Sequence, residues 1–338
     1  MEPLLFIPLI LSFFACLLTL PYWIRKTKYI GLLWEDLNKF GHPKRVAASG
    51  GIVVVMSFTL GVLLYIAIRT FFTGGNGKSL EILALLSVIL ILAIVGLTDD
   101  LLGWRHGGLS ARVRLFLAFM AAIPLVVINA GEHLMSIPFI GLVNLGFAYP
   151  LIIIPLGIAG ATTTYNMLAG YNGLETGQGI LILSALSIVA FLTGNSWLSL
   201  VGLCMVVALA AFLIFNKFPA KVFPGDILTY SIGALIACMA ILGNFEKIAI
   251  FFFIPYILEV FLKLRGKLKK QSFAKPNKDN SLEMLYKKIY GLEHIALWFL
   301  KKIKKNGKVY EKEVVYALWI FQIIIIILGF IIFKESIF

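Results

Sequence analysis

Charge is what this sequence has least of. Only 14% of its 338 residues are Asp, Glu, Lys or Arg, while 60% are hydrophobic; an ordinary soluble domain is about 25% charged. No soluble core could hide that much apolar surface, so a water-soluble globular protein is excluded and a polytopic membrane protein is expected. Cysteine is nearly absent. Cys16, Cys204 and Cys238 each fall inside an apolar run, without disulfide or metal spacing, which leaves them a packing role. The four histidines, His42, His106, His133 and His294, are scattered too widely to form a zinc site; His106, near a carboxylate pair, reads as a surface residue. There is no Walker loop, no Gly-x-Ser-x-Gly elbow, no dinucleotide fingerprint, no internal repeat and no low-complexity tract. No cleavable signal peptide is expected: residues 4–24 end in Tyr22-Trp23 and then Arg25-Lys26, the pattern of a first spanning helix with an interfacial anchor.

What is present is a series of apolar runs. A helix needs about 20 apolar residues to cross a bilayer. By that rule ten spans are expected, at 4–24, 46–68, 80–97, 113–130, 147–164, 178–193, 197–215, 227–243, 247–263 and 315–333, with a tight Gly194-Asn195-Ser196 turn between the sixth and seventh. Basic residues gather in alternate loops: 25–45, the loop holding Arg105 and Arg112, the turn with Lys217 and Lys221, and 263–315, which has fifteen Lys/Arg against five Asp/Glu. The positive-inside rule makes that face cytoplasmic and puts both termini outside. Loops 69–79, 131–146, 194–196 and 243–246 on the other face are short and nearly uncharged. Within 263–315, Leu285, Ile289, Leu292, Ala296, Phe299 and Ile303 recur at helical spacing among lysines. An amphipathic helix is expected there, lying on the bilayer or packed on the protein's own cytoplasmic face.

This topology gathers distant polar residues on one face. Asp99-Asp100 ends an apolar run; adjacent carboxylates repel, and either bind Mg²⁺, take a proton, or form a solvated helix end balanced by Arg105 and Arg112. Magnesium suits so sparse a site, because it takes few carboxylates and leaves positions for substrate phosphates. Asp226, in Val222-Phe223-Pro224-Gly225-Asp226, reads by itself as a helix-capping residue, with Phe223 available to stack on a base or to anchor at the interface. Asn166-Met167-Leu168-Ala169-Gly170-Tyr171-Asn172-Gly173-Leu174-Glu175 combines carboxamides, which can read a uracil edge, with glycines that let backbone amides approach a phosphate. A plain Asn-Gly turn would carry the same residues.

Together these stretches resemble the polyprenyl-phosphate N-acetylhexosamine-1-phosphate transferases, and within them the eukaryotic and archaeal branch acting on dolichyl phosphate. The resemblance is carried by Asp36-Leu37-Asn38-Lys39, Gly96-Leu97-Thr98-Asp99-Asp100, Asn166 to Gln178, Lys221 to Asp226, Ala240 to Lys247 and Leu282 to Tyr286. It implies an all-α fold of ten helices with a cytoplasmic active site. The implied partners are a UDP-sugar donor, a polyprenyl or dolichyl phosphate acceptor and the bilayer, without nucleic acid, and a second copy of the chain is an admitted one. UDP-N-acetylglucosamine is the expected donor and Mg²⁺ the expected cofactor, with Mn²⁺ as its substitute. Position by position, Asn166 and Asp226 would hold the metal, Asp99 and Asp100 would lie beside the acceptor phosphate, and Gly170, Asn172, Glu175, Phe223 and Leu37 would line the donor site. Arg114 stands where the family has a phosphate-contacting lysine. The family's sugar-reading cluster in the last cytoplasmic loop is replaced by Lys269-Lys270-Gln271, and lysine lacks arginine's planar fork. The small size of the chain points to an archaeal cell membrane. The rival class is a transporter or lipid flippase, which would place its polar groups near the midplane on broken helices.

Overall fold

The computed structural model describes residues 3–72, 74, 77–137 and 141–337. After a short 3₁₀ turn at Pro3–Phe6, the chain forms α1 (Ile7–Ile30), a ribbon of β1 (Leu33–Glu35) and β2 (Lys44–Ala47), α2 (Gly51–Phe72), α3 (Ser79–His106), α4 (Ala111–Met120) and α5 (Ile123–Val127). A second ribbon, β3 (Leu134–Ile137) and β4 (Gly141–Asn144), leads through a π-helical turn (Tyr149–Ile153) into α6 (Ile154–Tyr165), followed by α7 (Leu174–Leu192), α8 (Ser196–Asn216) and α9 (Asp226–Gly243). Then come α10 (Glu246–Phe252), α11 (Ile254–Arg265), a short ribbon of β5 (Lys275–Pro276) and β6 (Leu282–Glu283), α12 (Leu292–Ile303), α13 (Glu311–Ile332) and α14 (Lys334–Ile337).

Among the described residues seven helices are long and apolar enough to span a bilayer: Leu4–Ile30, Gly51–Phe72, Ser79–Trp104, Leu174–Leu192, Ser196–Asn216, Asp226–Gly243 and Glu311–Ile332. This is an all-α polytopic membrane protein. The other three expected spans are helical but interrupted. The stretch 113–130 divides into α4 and α5, 147–164 begins in the π turn, and 247–263 divides into α10 and α11. Proline lies at each break (Pro124, Pro150 and Pro155, Pro255), where it removes a backbone donor and crowds the preceding turn. The expected turn between α7 and α8 is present, with Gly194 at φ 84°. The ribbon β3–β4 lies within the expected loop 131–146, and its residues 138–140 lie outside the described residues, as do residues 73, 75 and 76 of the loop 69–79.

The bundle is built around α9, the most buried of the seven, with 89% of its apolar window inside the protein, whereas α1 and α13 bury 28% and turn their remaining apolar surface outward. Small residues allow that central position. A Cβ on Gly233 would lie 2.7 Å from the backbone of Ala161 and Thr162, and one on Gly96 would lie 2.6 Å from that of Asp226.

The amphipathic element is shorter than expected. Leu285 and Ile289 precede α12, which starts at Leu292, because Glu259 of α11 accepts a hydrogen bond from Leu292 N at 2.6 Å and so caps the helix there. Leu292, Ala296 and Leu297 face the protein, while Trp298, Phe299 and Ile303 are exposed. One face packs on the protein and the other remains open.

Candidate active site

Four distant segments meet at one end of α3, α6, α7 and α9. Near the end of α3, Gly96 lets the helix touch the first turn of α9, which brings Asp100 against the Pro224-Gly225-Asp226 turn. Asp226 N donates to Asp100 Oδ1 at 2.8 Å. Gly225 has a φ of 74°, and a Cβ there would come 2.1 Å from Asp100 Oδ2, so only glycine fits the cradle. That second oxygen, Oδ2, is buried and makes no hydrogen bond of good geometry among the described residues, although the Ser49 hydroxyl lies beside it.

Asp99 faces the other way. Its carboxylate accepts from Leu109 N and, at 2.8 Å, from Arg114 Nη1, which also lies 3.4 Å from Asp226 Oδ2. Three carboxylates against one guanidinium leave the cluster short of positive charge.

Asn166 closes α6, and its Oδ1 accepts from the Thr229 hydroxyl of α9 at 2.9 Å. Beyond it the chain turns through Gly170, at φ 106°. Glu175, in the first turn of α7, reaches back so that Oε1 accepts from Gly170 N at 2.6 Å, while its Oε2 is buried without a well-formed hydrogen bond among the described residues. Phe223 is held by a strand-like pairing: its N–H donates to Ala47 O at 2.8 Å and its carbonyl accepts from Gly50 N at 2.9 Å.

These groups line a cavity of about 370 Å³ that contains Leu37, Asp100, Asn166, Gly170, Glu175, Phe223 and Asp226 among the residues expected from the sequence. Five expected residues do not line it. Asp99 and Arg114 pair with each other at its border. Asn172 is buried, with its side-chain amide donating to Asp36 Oδ2 at 3.2 Å and its backbone N–H to Glu311 Oε1 at 2.8 Å, contacts that brace the loop. Lys269 and Lys270 are exposed, and the Lys270 ammonium rests 4.9 Å from the Tyr286 ring centre. The side chains of Arg105 and His106 lie outside the described residues. Sequence reasoning missed Trp34, Glu35, Ser49, Thr229 and Phe273 in the lining. Only Trp34-Glu35, beside the Asp36-Leu37 motif, carried a signal.

Among the described residues no three His, Cys, Asp or Glu side chains form a closed metal site. An Asp100 oxygen without a well-formed hydrogen bond among the described residues, together with the excess of carboxylates, nonetheless fits an oxygen-loving divalent cation that shares its ligands with a substrate.

Similarity to known proteins decides the family. Residues 82–244 match the model described as glycosyl transferase family 4. A protein of Saccharolobus solfataricus, provisionally named a UDP-N-acetylglucosamine–dolichyl-phosphate N-acetylglucosaminephosphotransferase, is 36% identical over 95% of this chain and 96% of its own length. The chain belongs to glycosyl transferase family 4. The enzyme of that same name from Dictyostelium discoideum is 31% identical over 73% of this chain and 69% of its own. A phospho-N-acetylmuramoyl-pentapeptide-transferase of Shouchella clausii is 35% identical over 73% of this chain and 77% of its own. The relatives are thus named for different sugars. The matched segment contains Asp99, Asp100, Asn166, Gly170 and Asp226 but stops short of Lys269 and Lys270. All three of these relatives are named as transferases, which favours the enzyme over the flippase.

Proposed function

We propose that this membrane phosphoglycosyltransferase moves a sugar 1-phosphate, N-acetylglucosamine 1-phosphate first among candidates, from a UDP-sugar to a polyprenyl or dolichyl phosphate. The products are UMP and a lipid-diphospho-sugar that begins a glycan, most simply an N-linked one. The observation that carries this reading is the joining of Asp100, Asp226, Asn166, Gly170 and Phe223 in a single cavity. An acidic end suited to a cation with phosphates thereby adjoins an aromatic and glycine wall suited to a base. The names of the Saccharolobus and Dictyostelium relatives support N-acetylglucosamine and dolichyl phosphate.

The lipid is supported by a second feature. An apolar groove of about 410 Å³ runs between α6, α9, α10 and α11, lined by residues including Gly157, Gly160, Thr164, Ala237 and Phe253. Thr164 precedes Asn166 by two residues, so a prenyl chain in the groove would end near the carboxylates.

In the reaction, an oxygen of the acceptor phosphate attacks the donor's β-phosphorus; the bond from that phosphorus to the bridging oxygen breaks, and UMP leaves with the electron pair. A phosphate monoester has a second pKa of about 6 and is largely ionised at neutral pH, so a strong base is dispensable. Asp100, at the cavity wall, orients the acceptor or takes its remaining proton, and Asp99 holds Arg114 beside the developing charge. Mg²⁺, held by Asp226 and Asn166, would supply charge neutralisation at the pyrophosphate. The Gly170 turn and Phe223 hold the uridine, with Leu37 and Glu175 at the border. The ten helical stretches, continuous or broken, would cross an archaeal cell membrane with this site on the cytoplasmic side.

The test is UMP release by purified protein supplied with UDP-N-acetylglucosamine, a polyprenyl phosphate and Mg²⁺. Release should require lipid and metal, and should fall by about 10²-fold or more in Asp226→Ala and Asp100→Ala. Folded protein that releases no UMP from any UDP-sugar would refute the reading.

A further inference from the structure

Glu311 begins the last spanning helix, 139 residues beyond Asn172 in sequence, and lies outside the cavity lining. It is nevertheless one of the most fully committed carboxylates in the protein. Only 2% of it is exposed. One oxygen accepts from Asn172 N at 2.8 Å and the other pairs with the Lys39 ammonium. Lys39 in turn lies 3.5 Å from Asp36, whose carboxylate accepts from the Asn172 side chain. Asn38, between them, donates to Gly170 O at 3.1 Å and accepts from Ala274 N at 3.2 Å. The Asp36–Lys39 motif is therefore tied to both ends of the Gly170–Asn172 turn, and Glu311 secures the arrangement to α13.

The next turns of α13 continue the support. Trp319 Nε1 donates to Leu174 O at 3.3 Å, and Gln178 donates to Leu318 O at 3.2 Å. A Cβ on Gly177 would collide with the Trp319 indole at 2.1 Å. The first half of α13 is thus a backing plate for residues 170–178, the stretch that faces the cavity at Gly170 and Glu175.

We propose that Glu311 is a positioning residue: through Lys39 and the Asn172 amide it fixes the Gly170 turn in the shape that receives the donor. The proposal rests on the transferase reading for the identity of that donor. Glu311 touches no substrate, so its loss should weaken donor binding while sparing the chemical step. A charge-assisted hydrogen bond is among the stronger ones in a protein, and a tenfold change in affinity corresponds to about 1.4 kcal/mol.

The experiment compares wild type, Glu311→Ala, Glu311→Gln, Lys39→Met and Lys39→Met/Glu311→Gln in detergent, with thermal unfolding as the check on folding. Two quantities are read: the KM for UDP-N-acetylglucosamine against kcat, and amide hydrogen exchange across 168–176. Glu311→Ala should raise KM about tenfold with kcat within about threefold, and should speed exchange at Asn172. Glu311→Gln, which can keep its one amide oxygen on Asn172 N–H by turning its NH2 group toward Lys39, should do less. The double variant should fall well short of the sum of its two single variants, since each single change strands a buried charge. Unchanged KM with unchanged exchange in folded Glu311→Ala would overturn the proposal, as would a loss of kcat at constant KM. A wild-type protein that releases no UMP removes the donor reading instead, and the clamp is then judged by exchange alone.

Discussion

Gly225 illustrates how finely the site is set at the scale of single residues. Its positive φ, and the 2.1 Å that would separate an added methyl carbon from Asp100 Oδ2, leave alanine no place. At φ 74° and ψ 168° the backbone lies in a region essentially closed to anything but glycine, at a cost of about 1–3 kcal/mol for an L-residue, and the clash would also push Asp100 off the Asp226 amide. Gly225→Ala should therefore depress kcat for UMP release by about 10²-fold with only a modest fall in unfolding temperature, measured side by side. The same scale separates two neighbours that look equivalent in sequence. Asp99 has both oxygens engaged by Leu109 and Arg114, whereas Asp100 keeps one buried oxygen without a good hydrogen bond. Helical geometry turns adjacent side chains by about 100°, which is why the pair divides into a border residue and a wall residue.

Among the elements, α12 is held by a buried polar cluster. Glu293, in its first turn, is fully buried, and among the described residues neither carboxylate oxygen has a well-formed hydrogen bond. Burial first, and then the Glu259 carboxylate, push Glu293 well above the ordinary glutamate range, against the opposing pull of Lys263 and a contact with Ser272. Folded protein thus holds this proton more tightly than unfolded protein does. The stabilisation is fully present below the ordinary glutamate pKa and is lost as pH rises from there through the raised value. Glu293→Gln should accordingly gain most in unfolding temperature at alkaline pH and flatten the fall above the ordinary glutamate range. A variant whose curve keeps the wild-type slope would show that Glu293 is not the group responsible. The expected stripe through Leu285 and Ile289 fails for a related reason: periodicity gave the apolar face, but Glu259 decided where the helix starts.

At the level of the whole molecule, the charge pattern makes a claim about orientation. Residues 263–315 carry fifteen Lys/Arg against five Asp/Glu, and positive loops stay in the cytoplasm. A single cysteine at Lys278 in an otherwise cysteine-free protein should be labelled by a membrane-impermeant maleimide only after the cells are opened. One at Asn195, in the α7–α8 turn, should be labelled in intact cells. The reverse pattern would invert the topology and put the carboxylates outside. The same charge bias says nothing about where helices break, so hydropathy counts ten spans, whereas among the described residues seven helices are long and apolar enough to cross and the other three stretches are broken at prolines.

Sequence by itself determined the class of the protein, its apolar segments and the motifs around Asp100, Asn166, Gly170, Phe223 and Asp226, because hydropathy and turn chemistry are local properties written in consecutive residues. Tertiary structure decided what those residues do to one another. Asn172 looked like a base reader, and the fold gives it Asp36 and Glu311 as partners; Lys269 and Lys270 looked like pocket residues, and the fold leaves them exposed. Glu311 looked like one acid in a basic loop until folding set one of its oxygens on the donor turn and the other on Lys39. Such roles depend on which distant segments are brought within about 3 Å, and no local pattern records that distance.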